Sequence, residues 1–570
     1  MTAATTVPWK DRNPKDPKSP SKNHRTAGER PEQSSSFCHS RNGNIDQHAS
    51  SQTVQGPDRP RAEVDETSCS SPAPSSHSSE RKFLVSFAPG DPENPYNWSS
   101  GRKVFIVLVG IATVVNSTLG SALPSGATRY IAKYFHITSE EELVLPISIY
   151  LVGYIVGPIL CGPLSETYGR KVVMLTTFGF FTAFTLGCAL APNWPALLIF
   201  RFLVGISASS PISVVGGLMA DVYNDPVTRG RAMALFMAAT TFGPLIGPII
   251  SGFVSVVSWR WTFWVELMIA GATWPLCLSL PETCGPIILK RRAENLRKQR
   301  SEPRIYAPMD LERKGAKETI TIVLSRPIRM FFTEAIVLFT CLYMSLAYAI
   351  FYLFFQAYPI IFQGIYGMST GILGLAFIPI GVGALIACAM FLYWDTILQR
   401  AKERHAPWAA AEENRRLPLA CVGGPLYVLS LFWLGWAANP TIHWIVPMMA
   451  GLPFGVGFLL IFMALLNYLT DAYDIYAASA MAAASCSRSI WGAALPFAGT
   501  KMYNKLGVHW ASSLLGFLSL GMTLIPFVFI KYGDRIRANS ALSNELSELK
   551  TKRDNEEKER EFGDNTVDMA

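Results

Sequence analysis

Leu143 to Cys161 reads LVLPISIYLVGYIVGPILC, Val172 to Leu190 reads VVMLTTFGFFTAFTLGCAL, and between them stands Gly162-Pro-Leu-Ser-Glu166-Thr-Tyr-Gly169-Arg170-Lys171. Each run is 19 residues long and holds no charged residue, close to the roughly 20 that a helix needs to cross about 30 Å of hydrocarbon. Inside such a layer the backbone must close its own hydrogen bonds, so both runs are read as helices. Gly162 and Gly169 permit close helix contact and a tight turn between them. An acid beside two bases can form a charge lock at the helix ends.

Outward from this pair the same pattern recurs. Apolar windows predict spans at Val104 to Leu123, Leu143 to Cys161, Val172 to Leu190, Ala196 to Met219, Ala232 to Val254 and Thr262 to Leu280. A second set is predicted at Met330 to Tyr358, Gly371 to Trp394, Leu419 to Ala438, Trp444 to Tyr468, Tyr476 to Phe497 and Trp510 to Ile530. The expected organisation is a disordered tail over 1–90, a six-helix half over 91–281, a basic linker over 282–327, a second half over 328–532 and a charged tail over 533–570. Six and six about a charged linker is a common plan for transporters built from two repeats.

Composition agrees: of 570 residues 50% are hydrophobic and 16% charged, and the mean hydropathy is positive, values of a membrane protein with polar tails. The formal charge of +8 sits in short loops and tails rather than on a soluble domain, which argues against nucleic acid. The ten cysteines, Cys38 and Cys69 among them, have no metal-ligand spacing and are read as small apolar packing residues. No nucleophile with a base, phosphate-binding glycine loop or metal cluster is present, so neither an enzyme nor an ATP-driven pump is expected, and no cofactor. The Ser- and Pro-rich start has no leader-like apolar run, leaving span 1 as the targeting signal. Leu542, Leu546 and Leu549 near the end have helical spacing and suggest a short surface helix.

Orientation follows from the bases. Arg102 and Lys103, Arg170 and Lys171, Arg229 and Arg231, the linker bases Lys290 to Arg300, and Arg400 to Arg416 all fall on one side. The connections 191–195, 359–370 and 439–443 carry no Lys or Arg; Arg129, Lys133, Arg260, Lys501 and Lys505 are exceptions. Both termini are therefore expected in the cytoplasm, and neither Asn97 nor Asn116, though each begins a glycosylation sequon, is expected to be modified.

Several residues point to chemistry. Arg201 stands about five residues inside span 4, where a charge is costly unless it faces a cavity, finds a partner or reaches back to the interface. Gly243-Pro244-Leu-Ile-Gly247-Pro248-Ile-Ile-Ser-Gly252 in span 5 combines close-packing glycines with prolines that open backbone bonds and bend the helix. Glu334 and Glu266 lie inside predicted spans, and Asp221 and Asp395 near cytoplasmic ends; any of these carboxyls is a candidate proton carrier. Arg488 near the middle of span 11 calls for an acidic partner, a helix-end carbonyl or an anionic cargo, with structural pairing the favoured reading. Tyr343, Tyr348, Phe351 and Tyr352 offer aromatic faces that can stack cations.

The connector with Glu166 and Arg170 resembles the signature loop of the major facilitator superfamily. Arg201 is similar to its membrane arginine, and the doubled Gly-Pro of span 5 to its antiporter motif. Asn94-Pro-Tyr-Asn-Trp98, Asn116 to Gly126, Pro281-Glu282-Thr283, Glu334 with Phe351-Tyr-Leu-Phe-Phe, and Arg488 resemble the fungal twelve-span drug:proton antiporters over about residues 90 to 535. The resemblance implies an all-α membrane protein of twelve helices in two halves, a monomer in the plasma membrane. It implies alternating access, with small organic cargo such as drugs, polyamines or a secondary metabolite exchanged for protons. A nutrient symporter and a nontransporting sensor are the competing functions. On this reading Gly162, Glu166, Gly169, Arg170 and Lys171 form a cytoplasmic gate, and Arg201, Glu334, Glu266 and Arg488 are the coupling or cavity candidates. Asn116, Tyr348, Tyr352 and Gln356 are the substrate candidates. Two departures stand out: Thr167 replaces an expected base, and Gln356 replaces an acid and cannot exchange a proton near neutral pH.

Overall fold

A computed structural model describes residues 83–540 apart from 89, 302–304, 312–315, 411, 474–475 and 539. The expected surface helix at Leu542 to Leu549, most of the N-terminal tail, Cys38 and Cys69 lie outside these residues.

Among the described residues, ten helical stretches are long and apolar enough to cross a membrane. The last, Ala477–Ala538, has 62 residues, about three times the length one crossing needs. It turns at Gly507, whose φ of 71° and ψ of 167° leave the helical region, and so supplies spans 11 and 12. The remaining helix, Trp259–Leu278, has 20 residues and carries Arg260, Glu266 and four tryptophans; it completes the twelve.

The spans, in chain order, begin with Ser100–Ala122, Leu145–Tyr168, Arg170–Leu190, the pair Trp194–Ala208 and Ser210–Val222, Pro226–Val254, and Trp259–Leu278. The second half continues with Ala335–Tyr358, the pair Thr370–Leu375 and Ile378–Glu403, Glu412–Ala437, and the pair Ile445–Met449 and Gly451–Tyr473. Prolines explain two of the breaks: Pro211 and Pro379 stand in the first turns of the segments that follow them, where a missing N–H costs nothing. Large apolar side chains such as Phe180, Ile199, Phe332, Tyr393, Trp436 and Leu524 are exposed, a surface suited to lipid rather than water.

In the first half span 1 packs on span 5 and span 2 on span 4; in the second, span 7 packs on span 11 and span 9 on spans 10 and 12. The halves meet where span 2 lies on span 11 and span 5 on span 8. These two contacts exchange when the second half is overlaid on the first, as a pseudo-twofold pair requires.

Three sequence expectations change. Span 7 starts at Ala335 rather than Met330, because Glu334 has extended backbone (φ −101°, ψ 111°) and ends the preceding helix Ala316–Thr333. The polar stretch 498–506, expected as a loop, stays helical up to Gly507, and its Lys501 pairs with Glu141. Phe83–Leu84, assigned to a disordered tail, pairs in parallel with Ile305–Tyr306 of the linker. The same linker contains the helix Gly285–Arg300, whose Arg292 bonds to Asp91. That guanidinium, with the Glu93 amide, holds the Asp91 carboxyl below the usual carboxylate range. The segment ahead of span 1 is thus tied to the linker, and the two mark the linker face of the protein.

Candidate functional site

A cavity of about 590 Å³ lies between the halves. Its middle is lined by Thr118, Tyr348, Tyr352, Phe462 and Arg488, and its mouth by Glu166, Arg170, Arg229, Arg415, Arg416 and Asp471 at the linker-face helix ends. Glu166 is 64% exposed there. On the opposite face the halves are in contact: Ser148 donates to the Ala493 carbonyl at 2.8 Å, and spans 5 and 8 are interlocked. The cavity is therefore open to the linker face and sealed at the other.

The seal is built by the span 5 motif. A Cβ on Gly243 would fall 2.7 Å from the Leu119 amide, and one on Gly247 3.0 Å from the Ala122 Cβ, so both glycines seat span 5 against span 1. Gly252 continues the row onto span 8, where a Cβ would lie 2.5 Å from the Thr370 carbonyl. Span 8 answers with Gly374, whose Cβ would lie 2.6 Å from the Pro248 carbonyl. Prolines at 244 and 248 remove two amides from the helix ladder, and the glycines let backbones meet directly.

The connector residues do not bridge the halves in this state. Arg170 is nearly buried and donates to Asp221 of span 4 at 3.1 Å and to Ser165 at 2.6 Å. Glu166 is 3.9 Å from Arg170 and points into the cavity mouth, and a Cβ on Gly162 would meet open space. Gly169 has a φ of +105°, a conformation that favours glycine, and offers no side chain to cap span 3. Glu282 caps it instead: its carboxylate accepts from the amides of Arg170 at 2.9 Å and Lys171 at 3.3 Å, a negative charge at a positive helix end. Asp221, named above as a proton candidate, is thus an ion-pair partner. Glu282 was legible only as part of the Pro-Glu-Thr phrase.

The second half repeats the arrangement with Arg416 bonded to Asp471 at 3.3 Å. Across the halves Arg231 of span 5 reaches Asp395 of span 8 at 3.0 Å, which engages the other aspartate. Sequence reasoning missed both pairings; acids and bases spaced along separate loops do not reveal which will meet.

Deeper in the first half lies a polar nest. Arg201 is 0% exposed; it does not reach to the interface but donates to the carbonyls of Pro146 and Gly120, each at 2.9 Å, and of Ser121 at 3.4 Å. Its guanidinium lies 4.3 Å from the Tyr150 ring centroid. Glu266 of span 6 is also 0% exposed, and neither carboxyl oxygen has a hydrogen-bond donor among the described residues. Gly120 makes room for it, because a Cβ there would enter the space of the carboxyl group. Asn116 belongs to the same nest, bonded to Ala112 and Thr273, and does not line the cavity.

A thread of polar contacts runs from this nest to the cavity. Ser121 shares a 2.7 Å hydrogen bond with the Tyr352 hydroxyl, Tyr348 donates to Tyr352 at 3.4 Å, and Arg488 sits 5.5 Å from the Tyr348 ring centroid. Tyr348 and Tyr352 line the cavity, whereas Gln356 lies against Gly499 and does not. Glu334 is not inside span 7 but at its start, buried, accepting from Tyr473 at 3.0 Å and from Ser540 at 2.6 Å; it ties span 7 to span 10 and to the end of span 12. Arg488 has no ion-pair partner among the described residues, contrary to the structural pairing expected of it.

The sequence profile of the Major Facilitator Superfamily matches residues 106–496. The chain is 38% identical over 480 residues to "Efflux pump FUBT" of Fusarium oxysporum, covering 84% of this chain and 80% of that protein. It is 39% identical over 458 residues to "Polyamine transporter 3" of Saccharomyces cerevisiae, covering 80% and 72% respectively. Among solved structures it is similar to the proton:xylose symporter XylE, with a TM-score of 0.54 and 17% identity over 76% of this chain and 96% of that one, a likeness of fold.

Proposed function

The chain belongs to the major facilitator superfamily, and from that membership we propose that it is a proton-coupled exporter of small organic molecules that works by alternating access. The observation that carries this reading is the central cavity, open to the linker face and sealed opposite by the interlocked glycines of spans 5 and 8. Relatives named as efflux pumps and multidrug transporters support export as the direction. The bases on the linker face make that face cytoplasmic by the positive-inside rule, so the cavity collects cargo from inside the cell. The plasma membrane is the matching site for a monomeric exporter.

Glu266 is the proton carrier on this reading. A buried carboxyl without a donor changes its energy steeply when its proton comes or goes, and the nest that holds it is linked to the cavity through Ser121 and Tyr352. A proton arriving from outside loads the nest and favours release of cargo outside; its departure to the cytoplasm resets the cavity. Glu166 and Arg170 supply a gate that closes on the cytoplasmic ends of the second half in the outward-open state.

The test is counterflow and proton movement in proteoliposomes with an imposed pH gradient, across a panel of organic anions, cations and apolar compounds. Export predicts cargo-dependent proton flux opposite to the cargo. Proton flux in the same direction as the cargo makes the protein a symporter, and no cargo-dependent flux at all removes the transporter reading.

A further inference from the structure

The middle of the cavity holds a guanidinium that no carboxylate among the described residues pairs with. Arg488 leaves span 11 half-buried beside the Tyr348 ring, and its hydrogen bond is a long one, 3.5 Å, to Ser485 Oγ one turn earlier. Among the described residues it makes no ion pair, and the carboxylates at the linker-face helix ends have partners of their own: Asp221 with Arg170, Asp395 with Arg231, Asp471 with Arg415 and Arg416, and Glu334 with Tyr473. The other ionisable groups that feel its charge are Tyr154, Tyr348, Cys341 and Cys486, none of which is ordinarily charged near neutral pH. A cation at membrane depth without a counter-ion is rare, faces a cavity and marks a functional position.

The carboxylates that line the cavity, Glu166 and Asp471, lie at its mouth, where Arg229, Arg415 and Arg416 outnumber them. Field lines from such a mouth draw anions inward and oppose polycations. Beside Arg488 stands an aromatic wall: Phe351 stacks on Phe458 at 4.9 Å, Phe458 meets Phe462 at 4.6 Å, and Phe462 reaches Tyr348 at 6.2 Å. At about 590 Å³ the cavity suits a drug-sized molecule.

We propose that Arg488 is the docking point for an anionic group, a carboxylate, on a cargo whose apolar or aromatic body lies against Phe351, Phe458 and Phe462. The planar guanidinium fork matches a carboxylate in two parallel hydrogen bonds, and the ring wall buries the remainder. The proposal deepens the exporter reading and rests on it for the word cargo, but its test is equilibrium binding rather than flux.

Calorimetric titration of the full-length protein in zwitterionic lipid and detergent, with 1-naphthoate, its methyl ester and 1-naphthylmethylammonium as probes, decides it. The acid is expected to bind about 10- to 100-fold more tightly than the ester or the ammonium. Arg488→Gln abolishes that preference while leaving ester binding within about twofold, and Arg488→Lys retains part of it. No binding of the acid, no preference in the unaltered protein, or a preference that survives Arg488→Gln overturns the proposal. If Arg488→Gln fails to fold, the three probes on the unaltered protein still decide. Proton flux driven by an organic cation, with no acid preference, defeats this proposal and leaves the exporter reading intact; acid binding without proton flux does the reverse.

Discussion

Glu266 and Arg201 share one buried nest without forming a direct ion pair: the arginine donates to three carbonyls, and the carboxyl is left without a donor among the described residues. A group held this way is poised for proton exchange rather than for structural pairing. Glu266→Gln keeps the shape and removes the exchange. It is expected to lower cargo-driven proton movement at least about tenfold while cargo counterflow stays within about threefold; equal loss of both would make Glu266 structural. Residue types and depths at this scale were legible in the sequence, which named Arg201, Glu266 and Arg488. Partners were not. An arginine at the centre of span 11 reads as half of a pair until it is seen that Arg170, Arg231 and Arg416 have already taken the nearby aspartates. Glu334 similarly read as an acid a turn or two inside span 7, although its extended backbone puts it at a helix break with Tyr473 and Ser540 as donors.

Span 5 is the element on which the seal of the opposite face depends. Its Gly-Pro repeat was visible as a string, and close approach was its predicted use; that Gly252 would carry the row onto span 8 required the fold. Gly252→Ala must push the Thr370 carbonyl aside and is expected to cost about 1–3 kcal/mol of stability, as overpacking does. Gly271→Ala, where an added Cβ meets nothing, is expected to stay within about 0.5 kcal/mol. Thermal unfolding midpoints in detergent check the contrast, and equal midpoints would remove the seal from the account. The ends of elements were harder to read. Polarity at 498–506 suggested a loop, yet helical backbone continues into the polar layer until Gly507, because a helix end is set by a residue that can leave helical φ and ψ, not by the last apolar side chain.

At the scale of the molecule, twelve spans in two halves follow from apolar windows together with the charged and Pro/Gly breaks between them, since the bilayer fixes helix length and forbids unpaired backbone. The cavity and the face it opens to do not, because the same sequence must support both open states and hydropathy is blind to which is adopted. The central claim is that the halves rock about the cavity, so that opening at one face accompanies closure at the other. Spin-label distances measured by double electron–electron resonance in lipid nanodiscs test this directly, with labels at positions 168 and 404 on the linker face and at 257 and 441 on the opposite face, residues that are all exposed. On acidification the account predicts that the 168–404 distance shortens while the 257–441 distance lengthens. Two distances that stay fixed, or that change in the same sense, would contradict it.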